Sequence, residues 1–163
     1  METWHALDPA AVADLLTTLR QYRWNWSTTE LPQLTDRLGW TITVTAEGKG
    51  AFADTPSRPG ARDVQFTFTD VHVDEITVRV TDRVLPKTRQ SQEFMQDTFA
   101  AAVKAGTDVL GEPTGRILGD SPQVRWRGDN TTISLMNTGV AVSVTWATND
   151  DQDHWDRIRG ISP

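Results

Sequence analysis

Apolar residues first recur along this chain at helical spacing. Val12, Leu15, Leu16 and Leu19 are followed one turn on by Tyr22, while Asp14, Arg20 and Gln21 take the polar side. Asp8-Pro9 precedes them, an N-cap and then a proline at the first helical position, where its missing N–H removes no bond. An amphipathic helix over about residues 9–22 is predicted. Trp24 and Trp26 then alternate around Asn25 in a short extended connection, and a second helix starts in the run Thr28 to Pro32. Proline is tolerated only in its first turn, Leu31, Leu34 and Leu38 share a face, and Gly39 is a left-handed terminator. The two helices make an αα-hairpin.

From Trp40 the period changes to two. Trp40, Ile42 and Val44 are expected on one face and Thr41, Thr43 and Thr45 on the other. Glu47 to Gly50 reads as a turn, Ala51 to Thr55 as a return strand, and Pro56 to Arg62 as a flexible loop. Val64, Phe66 and Phe68 alternate with polar residues, as do Ile76, Val78 and Val80. Ser91 is placed to cap a long helix ending at Leu110, with Met95, Phe99, Ala102, Val103, Gly106, Val109 and Leu110 as its apolar stripe. Gly111-Glu112-Pro113 stops it. Gly106, on the packing side, would allow close approach to a sheet. Strands around Val124 and Trp126, Thr131 to Leu135, and Val140 to Trp146 follow, and an acidic helix from Asn149 to Ile158 closes the chain. The predicted class is α+β: a single antiparallel sheet of about six strands, an N-terminal helical hairpin, one long central helix and a short C-terminal helix. No repeat or composition break divides residues 1–163, so a single domain is expected.

Composition narrows the function classes. The 163 residues contain no cysteine, which excludes disulfides, zinc–thiolate sites, iron–sulfur clusters and thiol catalysis. Sixteen Lys and Arg against 22 Asp and Glu give a net charge of −6, which argues against nucleic-acid binding and is compatible with a basic protein partner. Met1 to His5 lacks the pattern of a secretory signal, and the apolar runs are far too short for a membrane span. A cytoplasmic protein without membrane contact is expected. Seven tryptophans against one tyrosine are expected as core or half-buried anchors.

No catalytic set emerges. His5, His72 and His154 lie far apart and form no HExxH or HxH pair, so no metal is expected. There is no G-x-S-x-G, and Gly48-Lys49-Gly50 is a hairpin turn rather than a phosphate loop. The chain is read as non-enzymatic and without cofactors. Its densest charged feature is Asp150, Asp151, Asp153 and Asp156 beside Trp155. Carboxylates there are ordinary dipole complements in the first turns of a helix; the functional alternative is a contact patch for a basic partner, with Trp155 as an aromatic anchor. On the second reading these five residues are the candidate protein-binding site.

The helix carrying Leu15-Leu16-Thr17-Thr18-Leu19-Arg20, the pair Trp24-x-Trp26, and Leu34-Thr35-Asp36-Arg37-Leu38-Gly39-Trp40 resemble a small uncharacterised actinobacterial family. So do Val109 to Thr114, Val124-Arg125-Trp126-Arg127 and Thr145 to Asn149. Proteins of that kind are encoded beside secreted polymorphic toxins, so the resemblance implies an immunity or antitoxin-like protein that binds and neutralises a toxin domain. The element order is also similar to a secretion-chaperone-like arrangement, with an extra N-terminal helix and an extra strand. An effector chaperone and a small-molecule-binding domain, with a pocket between sheet and long helix, are the alternatives.

Overall fold

The computed structural model of the chain describes residues 4–161. Its helices are α1 (Pro9–Gln21), α2 (Leu31–Leu38), α3 (Arg89–Leu110) and α4 (Asn149–Arg159). Its strands are β1 (Thr41–Ala46), β2 (Gly50–Asp54), β3 (Val64–Thr69), β4 (His72–Arg79), β5 (Gly115–Ile117), β6 (Gln123–Arg127), β7 (Thr131–Asn137) and β8 (Val142–Thr148). They form one open antiparallel sheet in the order β1-β2-β3-β4-β8-β7-β6-β5. The α+β class stands, but the sheet has eight strands instead of about six. All four candidate strands before α3 form, and β5 adds a three-residue strand too short to display a period of two. No helix among the described residues is long and apolar enough to cross a membrane.

The chain divides into two compact units. One combines the stretch through Tyr22 with Arg79–Trp146, the other Arg23–Val78 with the stretch from Ala147 onward. In the first unit Asp8 caps α1 as its sequence requires, its side chain accepting from the Ala11 N–H at 2.8 Å. Val12, Leu16 and Leu19 are buried. Arg20 departs from the expected polar side: it is half-buried, and its guanidinium donates to the Trp126 carbonyl at 2.7 Å and the Thr131 carbonyl at 3.1 Å. Burial lowers its pKa, an effect that Asp129 opposes.

Helix α3 starts two residues before Ser91. Thr88 is the cap, and Ser91 sits at the third position of a reciprocal capping box with bonds of 3.0 and 2.8 Å. Its buried line is also narrower than the apolar stripe suggests. Ser91, Met95, Ala102, Ala105 and Gly106 are buried, whereas Phe99 and Val103 are only half-buried and Val109 is 43% exposed. Small residues win the inner positions because α3 packs against α1 and β7 at once. A Cβ built on Gly106 would stand 2.7 Å from Trp126 Cη2 and 3.2 Å from Leu16 Cδ1. The Trp126 indole fills that space and donates to the Gly111 carbonyl at 2.9 Å.

The second unit has its core in Ala51, Ala53, Val64, Phe66, Val73, Ile76 and Val78, with Trp40 edge-on to Phe66 at 6.0 Å. Gly39 ends α2 in the left-handed conformation, φ 72°, as expected. Strand β1 does not keep one apolar face inward. A register shift between Ile42 and Val44 places Ile42 opposite buried Ala53 and Val44 opposite outward-facing Phe52. The loop after β2 is tethered: Asp54 accepts the Gly60 and Arg62 N–H groups at 2.7 and 2.8 Å, which hold its carboxyl below its ordinary pKa. The tryptophans divide as expected. Trp26, Trp40, Trp126 and Trp146 are buried, and Trp4, Trp24 and Trp155 half-buried.

Candidate functional site

The five acidic-helix residues do not share one surface. Thr148 caps α4 by accepting from the Asp151 N–H at 3.1 Å, which puts Asp150 and Asp151 in the first turn, where carboxylates complement the helix dipole. Asp150 is exposed. Asp156 is 2% exposed and accepts from the Gln152 amide at 3.0 Å, so it faces inward. Asp153 and Trp155 are half-buried, with the Arg159 guanidinium 5.6 Å from the Trp155 ring and His154 edge-on at 5.8 Å.

Asp151 belongs to a different constellation, one that sequence reading missed. His72 Nε2 lies 2.7 Å from Asp151 Oδ2 and 3.8 Å from Asp74 Oδ1, and one ligand atom from each residue lies within 4.8 Å of the others. These three could hold a metal ion. Seventy-nine positions separate His72 from Asp151, so no local spacing announces the pair. The local cause is a bulge. β3 and β4 pair Thr67 with Glu75 and then Phe68 with Val73, leaving Asp74 as the extra residue. Asp74 thus comes to accept from Thr69 Oγ1 at 2.6 Å, while Thr148 Oγ1 donates to Asp151 Oδ2 at 3.1 Å. Next to His72, Trp26 holds a left-handed backbone, φ 58°, unusual for a bulky residue, and its carbonyl accepts from Val73 N–H at 2.8 Å. Neighbouring Glu75 has its pKa raised, by burial first and by Asp74 more weakly, against the pull of Arg159 and a bond from Thr77.

A second feature of this unit is its sheet edge. β1 ends the strand order, carries no charged residue in Thr41-Ile42-Thr43-Val44-Thr45-Ala46, and is exposed over most of its length. Across from it, Val44 (39% exposed) and Phe52 (37%) form an outward apolar pair. Native edges usually carry lysine, proline or an inward charge to prevent strand addition. Here only the bulge serves that purpose. The unit's charge is lopsided too. It holds seven Lys and Arg against twelve Asp and Glu, a net of −5, while the other unit holds nine against ten, a net of −1.

An α+β domain with an open, uncharged sheet edge on an acidic unit is the class that the fold and these features define. The chain belongs to a family of unknown function, DUF6301, whose match covers residues 10–148. No curated protein and no solved structure matches it.

Proposed function

We propose that this chain works by binding another protein, as an immunity-type inhibitor that neutralises a secreted toxin domain in the cytoplasm. The observation that carries the reading is the β1 edge: six residues without charge or proline, beside the outward Val44–Phe52 pair. Such an edge accepts an extended segment of a partner through main-chain hydrogen bonds, with alternate side chains resting on the apolar pair. The occupant is a basic segment of the toxin domain. A unit with a net of −5 steers such a segment in and rejects acidic ones.

The test is protection. Cells induced for a secreted toxin that this chain is proposed to neutralise should survive when the chain is co-expressed and die when it carries Val44→Lys. Lysine at an exposed strand position leaves the fold within about 0.5 kcal/mol, so loss of protection reports on the edge. Stable association without protection would replace inhibition by escort of an effector. The absence of both association and protection would remove the proposal.

A further inference from the structure

We propose that His72, Asp74 and Asp151 bind one divalent transition-metal ion of the zinc class. The donor set favours that chemistry. One imidazole and two carboxylates neutralise a divalent charge, and the imidazole selects against magnesium and calcium, which prefer oxygen alone. The dimensions fit an ion after small side-chain shifts. Ligand atoms at about 2.0–2.2 Å from zinc stand roughly 3.3–3.6 Å apart in a tetrahedron. Here two of the separations are 2.7 and 3.8 Å, and the largest is no more than 4.8 Å. The ion enters between His72 and Asp151 by widening their contact, and the His72 ring shifts to seat it against Asp74. The His72 side chain is 44% exposed, so that ring has room to shift, whereas the Asp74 side chain is 12% exposed and fixed by Thr69.

The surroundings are those of an oriented site. Thr69 and Thr148 each donate to a carboxylate and set its direction, as outer partners do around metal ligands. The two β4 ligands, His72 and Asp74, stand two residues apart on the strand, at the bulge that leaves Asp74 without an opposite residue on β3. The positive end of α4 opposes a cation, and Asp150, in the same turn as Asp151, offsets it. Three protein ligands leave the remaining coordination positions to water on the open side of His72. Without an ion, the imidazole–carboxylate hydrogen bond takes the place of the coordination bonds. With one, the first turn of α4 is cross-linked to β4.

The protein stripped with a chelator should bind one zinc ion per chain, and its unfolding midpoint should rise with zinc concentration, because the folded state alone holds the three ligands together. His72→Ala and Asp74→Asn should each weaken zinc binding by at least about tenfold, the effect seen even for outer partners of metal ligands. His154→Ala, on the same helix as Asp151, should leave it unchanged. In the unaltered protein, zinc should shift the ring resonances of His72 and leave those of His5 and His154 in place, a readout independent of whether any variant folds. A midpoint that ignores zinc, binding that survives loss of His72, or ring shifts at His154 instead would overturn the proposal.

Discussion

Gly106→Ala tests how closely α3 lies against its neighbours. In an open helix this change stabilises by about 1 kcal/mol, because glycine has more backbone freedom to lose. Here the new Cβ would meet Trp126 Cη2 at 2.7 Å, Cζ2 at 2.9 Å and Leu16 Cδ1 at 3.2 Å, well inside an ordinary carbon contact of about 3.5–4.0 Å. None of the three can yield cheaply. Trp126 is 2% exposed and tied to the Gly111 carbonyl, and Leu16 is fully buried. Overpacking of this kind costs about 1–3 kcal/mol and sometimes more. Set against the gain, the clash leaves a net loss of up to roughly 2 kcal/mol, or up to about 8 °C in Tm for a chain of this size. Urea unfolding followed by tryptophan fluorescence measures it. In a Trp126→Phe background the ring atoms that clash are gone, so the same alanine should be neutral or stabilising, and the cycle should show coupling between the two sites. A stabilisation of about 1 kcal/mol by Gly106→Ala in the unaltered protein would refute the close approach.

Met95→Ala should cost about 2–5 kcal/mol, since Met95 is fully buried. Phe99→Ala, at a half-buried position, should cost less than about 2 kcal/mol in the same denaturation series. Glu75→Gln should alter the pH dependence of stability. Burial raises the carboxyl above its ordinary 4.5, so the folded state holds the proton more tightly, and stability falls as pH rises from about 4.5 through the raised value. Glutamine removes that fall. The variant should gain on the parent across this window and hold the advantage at neutral pH, as chemical denaturation at several pH values would show.

Much of the fold was legible because it is written locally. The Asp8-Pro9 cap, Gly39 as a left-handed stop, Gly106 as a contact point and the alternation of β3 and β4 each follow from neighbours in sequence. The misses arise where tertiary packing decides. Arg20 looked solvent-facing because its acceptors lie more than a hundred residues away on Trp126 and Thr131. The α3 stripe looked wider than it is because, beyond Met95, the positions against its two neighbours are filled by the small residues Ala102, Ala105 and Gly106. The bulges in β1 and β4 leave no compositional mark, yet they turn Val44 outward and leave Asp74 as the extra residue beside His72. The acidic cluster was visible, but its division into an exposed Asp150, an Asp151 hydrogen-bonded to His72 and a buried Asp156 was not.

Hydrogen exchange along β1 in a complex with the proposed toxin partner tests the binding reading most directly. Strand addition pairs the edge amides of Thr41–Ala46 that β2 does not engage, so these should slow on binding while the β5 edge, Gly115–Ile117, stays unchanged. A stable complex in which β1 exchanges as fast as in the unbound protein would contradict it.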